Sequence, residues 1–559
     1  MKQLLEEQIL PNVQKPARYT GGELNEIKKD WDKTDVKVCL SYPDTYEVGM
    51  SNMGLQILYH IINQTDFALA ERSYTPWPDM EAKLRENKLA LYSLESFKPL
   101  SEFDLIGFSL QHELTYTNLI NMLDLAGIPI YSRDRFSPSP QSLAPSTYPL
   151  IFAGGPCTLN PEPIADFVDF FLIGEGEEAI EDIINVYKAN KGSSRTEILK
   201  ALSKIEGIYV PSLEQEKVKR RIVKDFDGAP YPLKPLIPFI ETVHDRAMLE
   251  IMRGCPRSCK FCQARAACAP LRTRKAGTLI KQAEELIKNT GYEELSLVSL
   301  STSDHPKIDE IAKMLSSKFS SKMISISLPS VRMDSFSIRL AKEISKVRPP
   351  SVTLAPEAGT ERLRKHIGKD LTEEEIIQGA TSAFEGGIEK IKLYFMIGLP
   401  GETDEDIQGI VDLCNKIARA GRDVFTATGK NKKRIRITAA VSTFIPKPHT
   451  PFDREQQMLI EETLRKQKFL KENLKDRALE MRWHDPGASF LEGVFARGDK
   501  KLSKVIENAW KLGARLDAWS EHFKLEVWDE AFKQAGIDPN TYLKKREPAD
   551  DLPWAFIEV

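Results

Sequence analysis

Long apolar runs are missing from this 559-residue sequence; the longest, such as Phe167 to Ile173, are interrupted and strand-sized. A bilayer-spanning helix needs about twenty consecutive apolar residues, so no membrane span is expected. An excess of charge of one sign is missing too: 78 Lys and Arg against 81 Asp and Glu leave a net −3 and a pI of about 6.3. That excludes the global basic footprint of a nucleic-acid-binding domain, though not a local basic groove. Cysteine is sparse, and three of the 7 are clustered. Such usage suits a metal in a reducing compartment rather than a disulfide framework. Glu6 and Glu7 stand where a signal peptide would need an unbroken apolar region. A cytoplasmic location is therefore expected, and repeats and extended low-complexity segments are absent.

A chain of this length should divide into several domains. Residues 1–34 are polar and broken by Pro11, Pro16 and Gly21-Gly22, and read as an N-terminal extension. Over 35–200 short apolar runs alternate with helical patterns: Val36 to Leu40, Leu105 to Ser109, Leu150 to Ala153 and Phe170 to Ile173. This alternation predicts an α/β fold with a doubly wound parallel sheet. Ligands of such sheets bind beyond the carboxyl ends of the strands, here the loops holding Ser109, Gly154-Gly155 and Gly174-Glu-Gly176. Residues 201–243 are polar, then Pro-rich, and read as a linker. Over 244–453 six strand candidates recur: 247–252, 295–300, 324–328, 351–354, 390–396 and 435–441. A six-stranded partial barrel is predicted, with its chemistry at the strand carboxyl ends. Residues 454–559 are charged and read as a mainly helical C-terminal domain.

The chemistry concentrates in Cys255, Cys259 and Cys262, on the loop after the first barrel strand. Spacings of three and then two residues let three thiolates wrap one face of a cubane cluster and leave its fourth iron open. Thiolates are the soft ligands such clusters select. The residues also leave a closed zinc site open, because Cys268 is near; zinc ligands, however, usually come as two close doublets. Cys39, Cys157, Cys268 and Cys414 are apolar-flanked and are expected to be small core residues.

With Gly254-Cys255-Pro256 and with Phe261 preceding the last cysteine, the loop resembles that of the radical S-adenosylmethionine (radical SAM) enzymes. The resemblance implies a [4Fe-4S] cluster on the three cysteines. It also implies S-adenosylmethionine chelated by the open iron, and reductive cleavage to a 5′-deoxyadenosyl radical. It implies cofactor-holding roles for Phe261, Ser301, Ser303, Arg332, Glu357, Gly398, Pro400, Glu402 and Pro446, each on or after a cluster-loop or strand-end motif. The bland alternatives are an ion pair for Arg332, an ordinary turn for Gly398, and a cap on the helix near Thr360 for Glu357. A low-potential electron donor such as flavodoxin or ferredoxin is implied as partner.

The N-terminal domain resembles the cobalamin-binding domain fused to many radical SAM enzymes, through Pro43 to Leu55, Ser109, Gly154, Gly155, Gly174 and Gly176. Cobalamin is the implied further cofactor, its glycines allowing close approach of a flat macrocycle. The loop Tyr42 to Gly49 departs from the cobalt-ligating type in lacking a histidine. His112 lies in another loop and reads as a surface or helix-capping residue. Trp483, Trp510, Trp519 and Trp528 read as helix-packing residues, with substrate stacking as the alternative. Basic runs at 217–224, 265–275 and 430–436 are the one hint of an RNA or phosphorylated partner. The expected reaction is radical hydrogen abstraction, followed by methyl or sulfur transfer to an unactivated carbon. The rivals are a methylthiotransferase-like modifier, which would need three more N-terminal cysteines, and a non-catalytic iron–sulfur or zinc scaffold.

Overall fold

The computed structural model describes residues 1–136, 148–328, 352–427, 429 and 434–559. The chain divides into two units. One joins Met1–Asp245 to Val494–Tyr542 and Asp551–Val559; the other joins Arg246–Gly493 to Leu543–Asp550. The C-terminal residues 454–559 are thus shared between the units. Their amphipathic helices find apolar partners in each rather than forming a core of their own.

In the first unit a six-stranded sheet runs in the order β2-β1-β3-β4-β5-β6. Its strands are β1 (Val36–Tyr42), β2 (Ala68–Tyr74), β3 (Leu105–Ser109), β4 (Leu150–Gly154), β5 (Phe170–Leu172) and β6 (Ile208–Tyr209). All pairings are parallel except β5 with β6. Nearly every residue of β1 is buried, as expected of a strand covered on both faces. Helices α1 (Met53–Gln64) and α2 (Tyr116–Leu125) lie in the β1–β2 and β3–β4 crossovers, and α3 (Glu177–Ala189) follows β5. Asn52 starts α1 by accepting from the Leu55 N–H at 2.8 Å, a side-chain N-cap.

The stretch expected as a linker is built into this unit. Ile208–Tyr209 is its antiparallel edge strand, and Val218–Lys219 pairs with Ile557–Glu558 near the chain's end. The N-terminal extension is fastened by buried ions. Arg18 makes a two-pronged contact with Glu47 at 2.9 Å, and Arg72, fully buried, bridges Glu23 and Glu95. Burial pushes Glu95 up to about 7, because Arg72 must neutralise two carboxylates in a site with little water.

In the second unit all six expected strands are present: β7 (Ala247–Glu250), β8 (Glu294–Val298), β9 (Ser325–Ser327), β10 (Val352–Glu357), β11 (Lys390–Ile397) and β12 (Arg436–Thr443). A seventh, β13 (Leu479–Trp483), pairs in parallel with β12. Among the described residues they form a parallel sheet β9-β8-β7 and a parallel sheet β10-β11-β12-β13. The seventh strand escaped the sequence reading because Leu-Glu-Met-Arg-Trp carries two charges in five residues and stays half-exposed. Beneath the second sheet Phe384, Leu393, Ile410, Leu413 and Leu470 form part of one apolar core. Among the described residues no helix is long and apolar enough to cross a membrane.

Candidate active site

The cysteine loop leaves the carboxyl end of β7 through Gly254. Its φ is +88°, and a Cβ there would lie 2.8 Å from the Pro270 carbonyl oxygen and 3.0 Å from that of Cys268. Only glycine meets both demands. Arg272 braces the return of the loop by donating to the carbonyls of Pro270 and Cys268. Cys255, Cys259 and Cys262 are free thiols of intermediate exposure. Cys268 is also of intermediate exposure, contrary to the buried position expected for it, whereas Cys39, Cys157 and Cys414 are buried. Cys268 closes the short helix α4 (Gln263–Cys268), which is too small to bury a face.

Three neighbouring segments hold the loop in place. From the end of β8, Asp304 pairs with Arg257 and accepts from the Ser301 hydroxyl at 2.6 Å. From the helix α5 (Glu361–His366), the following residue Ile367 accepts from the Lys260 N–H at 2.9 Å. Gly368, at φ +75°, passes so close to Ser258 that a Cβ would stand 2.5 Å from its carbonyl oxygen. From the end of β12, the Pro448 carbonyl accepts from Gln263 at 3.4 Å. Phe261 packs against the small apolar cluster of Ala358, Leu363, Ile367, Leu399, Phe444 and Phe452. The aromatic before the last cysteine therefore anchors the loop.

Burial raises Cys259 and Cys262 above the usual thiol range. On Cys259 the Lys369 ammonium opposes that effect, while Cys262, Glu357 and Cys255 reinforce it. On Cys262 it is opposed by the N–H groups of Ala264 and Arg265 at the start of α4. Glu357 ends β10 at a bulge, with φ +69°, a conformation a glutamate adopts at a cost. Its carboxyl is raised by burial and is met by Lys369 at 3.3 Å. Thr360, not Glu357, caps α5, accepting from the Leu363 N–H.

Glu402 is turned into the protein: it accepts from the Gly398 N–H at 2.9 Å and from Lys466 at 2.6 Å, and its side chain is 2 % exposed. Burial raises its pKa against the pull of Lys466. Gly398, at φ +82°, shapes the turn that Glu402 ties. Pro400 is partly exposed and Pro446 buried, each in its expected strand-end loop, and Ser303 is partly exposed beside Asp304. Arg332 lies outside the described residues. Lys369, Arg257 and Lys466 were not legible in the sequence, because each is brought in from a loop or helix by packing. Gly368 was the one local hint.

Comparison with known proteins turns this geometry into a classification. The family model for radical SAM proteins, N-terminal, matches residues 54–211, and that for the radical SAM superfamily matches residues 249–414. An uncharacterized protein of Methanocaldococcus jannaschii is 31% identical over 474 residues, covering 84% of this chain and 90% of that protein. The chain belongs to the radical SAM superfamily. It is an enzyme of that superfamily, with the matched barrel beginning at the strand that delivers the cysteine loop. The ribosomal protein uS12 methylthiotransferase RimO of Pelotomaculum thermopropionicum is 26% identical over 239 residues, which cover 40% of this chain and 52% of RimO. The cobalamin-dependent S-adenosylmethionine radical enzyme OxsB shares the fold, with a TM-score of 0.50 at 13% identity. That match covers 90% of this chain and 71% of OxsB.

The residues present fit an iron–sulfur cluster. Three soft donors stand on one loop, none in a disulfide, with backbone N–H groups directed at one sulfur. For a corrinoid the fit is confined to one stretch of the N-terminal sheet. Gly155 (φ +109°) and Gly174 (φ +114°) face their own chain: a Cβ would stand 2.5 Å from the Leu110 oxygen and 2.2 Å from the Arg221 oxygen. At these two positions glycine is required by the fold itself. A Cβ on Gly176 would meet Leu58 at 3.0 Å, whereas one on Gly154 would meet nothing nearer than 3.8 Å. His112 accepts from the Leu114 N–H through Nδ1, the capping role expected of it.

Proposed function

We propose that Cys255, Cys259 and Cys262 ligate a [4Fe-4S] cluster and that the enzyme cleaves S-adenosylmethionine reductively. The observation that carries this reading is the three-thiol loop set beside the Glu357–Lys369 pair. When bound, the cluster supplies the electron that opens the sulfonium and yields the 5′-deoxyadenosyl radical. The chain's own residues bind and orient. Glu357 offers a buried carboxylate to the amino group or ribose hydroxyls of the cofactor. Lys369 opposes the burial that raises that carboxyl, beside the thiolates. Glu402 and Gly398 set the turn, with Pro400 and Pro446, that would receive the adenine. Ser301 acts through Asp304 and Arg257 on the loop rather than directly on the ligand.

For the net reaction we propose methyl transfer to an unactivated carbon with cobalamin as methyl carrier, supported by the shared fold with OxsB across both units. The methylthiotransferase reading is favoured by the similarity to RimO. It loses ground because a second cluster needs accessible thiols in the N-terminal unit. Cys39 there is fully buried, and Cys157 packs against the hydroxyl of Tyr116. An RNA substrate gains little from the basic run 265–275, since Arg274 is buried and Arg272 donates to its own loop's carbonyls. The proposed partner is a low-potential electron carrier such as flavodoxin or ferredoxin.

The test is anaerobic reconstitution with iron and sulfide, followed by dithionite and S-adenosylmethionine, reading 5′-deoxyadenosine. Cleavage that vanishes in Cys255→Ala is the expected result. A fully loaded cluster that leaves the cofactor intact in every substrate-containing extract would overturn the reading.

A further inference from the structure

Barrels of parallel strands usually fill their interior with bulky branched side chains and carry their helices outside. The larger sheet of the second unit keeps only the second half of that rule. On its helix-bearing face Ile391, Leu393 and Phe395 of β11 pack with Ile437 and Ala439 of β12 against the helices Glu373–Glu385, Asp404–Ala427 and Ile460–Asn473. Side chains alternate along a strand, so the residues between these turn to the inner face. On β11 they are Lys390, Lys392 and Tyr394; on β12 and β13 they include Arg436, Glu480 and Arg482. None of the six is buried, and Tyr394 is 40% exposed.

Four cations on this face thus meet one carboxylate, and Glu480 is already held by Arg482 at 2.8 Å. Among the described residues the side chains of Lys390 and Lys392 make no ion pair or hydrogen bond. The Lys392 ammonium lies 4.6 Å from the centre of the Tyr394 ring, and Lys390 stands in register with Arg436. A cleft lined by charge of one sign draws in ligands of the other.

The smaller sheet offers neutral groups. Ser296 of β8 and Ser327 of β9 are in register, on the face opposite the buried Leu295, Leu297 and Ile326. Ser296 is 1% exposed, yet among the described residues neither serine hydroxyl has a hydrogen-bond partner. Buried hydroxyls are nearly always paired, so two neighbouring exceptions mark a place that a polar ligand or water completes. The carboxyl ends of both sheets reach the cysteine loop, through Asp304 and Arg257 from β8 and through Pro448 and Gln263 from β12.

Resting on the radical reading above, we infer that the substrate is a small molecule bearing a carboxylate or phosphate, and that Lys392 holds this anion inside the barrel. The Tyr394 ring steadies the ammonium, and Lys390 and Arg436 add positive field from the amino ends of their strands. The hydroxyls of Ser296 and Ser327 receive the neutral polar groups. Anchored by its anion, the substrate presents a carbon at its other end toward the cysteine loop.

The experiment is equilibrium dialysis of labelled malonate, and separately of inorganic phosphate, against the full chain before cluster loading. One anion per chain is expected to bind, malonate the better for a carboxylate-bearing substrate and phosphate the better for a phosphorylated one. Lys392→Met should weaken binding by about tenfold or more and Lys392→Arg by no more than about threefold, both at an unchanged thermal midpoint. Binding of neither anion, or equal binding by Lys392→Met, would overturn the inference. So would a cluster-loaded Lys392→Met that loses S-adenosylmethionine instead of the anion, since the lysine would then serve the cofactor. Formation of 5′-deoxyadenosine by the reconstituted native chain keeps the two readings apart. Cleavage without anion binding removes this inference and leaves the radical reading standing. Anion binding without cleavage in any extract removes the radical reading, and with it the role of the anion as part of a substrate.

Discussion

The strand ends of the two units make opposite use of polar residues. At the carboxyl end of β1 in the first unit, Asp44, Asn118, Asp517 and Trp519 are paired among themselves and sealed. At the barrel strand ends of the second unit, three thiols remain partly exposed. A raised, strained Glu357 is met by a single lysine at 3.3 Å. A satisfied network stabilises a fold; an electrostatically unbalanced one is poised for a ligand. The carboxyl ends of parallel strands are thus sealed at β1 of the first unit and left open at the cysteine loop of the second.

The largest expected effect is at the thiols. Alanine at Cys255, Cys259 or Cys262 should abolish both cluster loading and cofactor cleavage, read as iron per chain and as 5′-deoxyadenosine. Full iron retention in all three variants would erase the contrast between the two strand ends.

Next comes the compensating cation. Lys369→Met should lower cleavage about 10- to 100-fold, while Lys369→Arg keeps most of it, because the uncompensated Glu357 then faces the thiolates directly. Equal activity of the Met and Arg variants would make Lys369 a bystander. The readout that isolates positioning from folding is cluster content at an unchanged thermal midpoint.

A third comparison lies within the first unit's edge. Gly155→Ala should cost at least about 2 kcal/mol, since φ +109° is strained and its Cβ would meet the Leu110 oxygen at 2.5 Å. Gly154→Ala should stay within about 0.5 kcal/mol. Denaturant midpoints decide it, and similar losses for both would mean the end of β4 is as closely packed at Gly154 as at Gly155.

The smallest effect is a pH dependence at Asp517, which accepts from Thr117 and from the Trp528 indole. Burial raises Asp517 to about 6, against an unfolded value of about 3.9. The folded state therefore holds the proton through that window, and this carboxyl's contribution to stability falls as pH rises through about 6. Asp517→Asn removes the dependence. Its thermal midpoint relative to the native chain should improve between pH 5 and pH 8. A constant difference would mean the carboxyl is neutralised by other means.

Much of the site was legible because it is local. The cysteine spacing, Gly254 and Phe261 fall within nine residues, and backbone sterics and thiolate chemistry act over that range. The six barrel strands were legible from alternating apolar runs. Ser301 and Glu402 were legible as polar strand-end residues, but their direction was not. Ser301 turns to its near neighbour Asp304, which is tied to Arg257 47 positions earlier, and Glu402 turns to Lys466, 64 positions away. The strand Leu479–Trp483 was missed because its place is set by pairing with β12, not by its own composition.

What the sequence by itself determined is the cluster loop, the alternation of strands and helices in both units, and the lack of a histidine after β1. These follow from short-range spacing, hydrophobic periodicity and residue identity. The tertiary structure alone decided that residues 494–542 complete the first unit and seal the carboxyl end of β1. It alone brought Lys369 to Glu357 and Cys259 as well. Those contacts join segments up to hundreds of residues apart, and their free energy comes from burying apolar surface and satisfying polar groups together. No local pattern records which distant partner will be there.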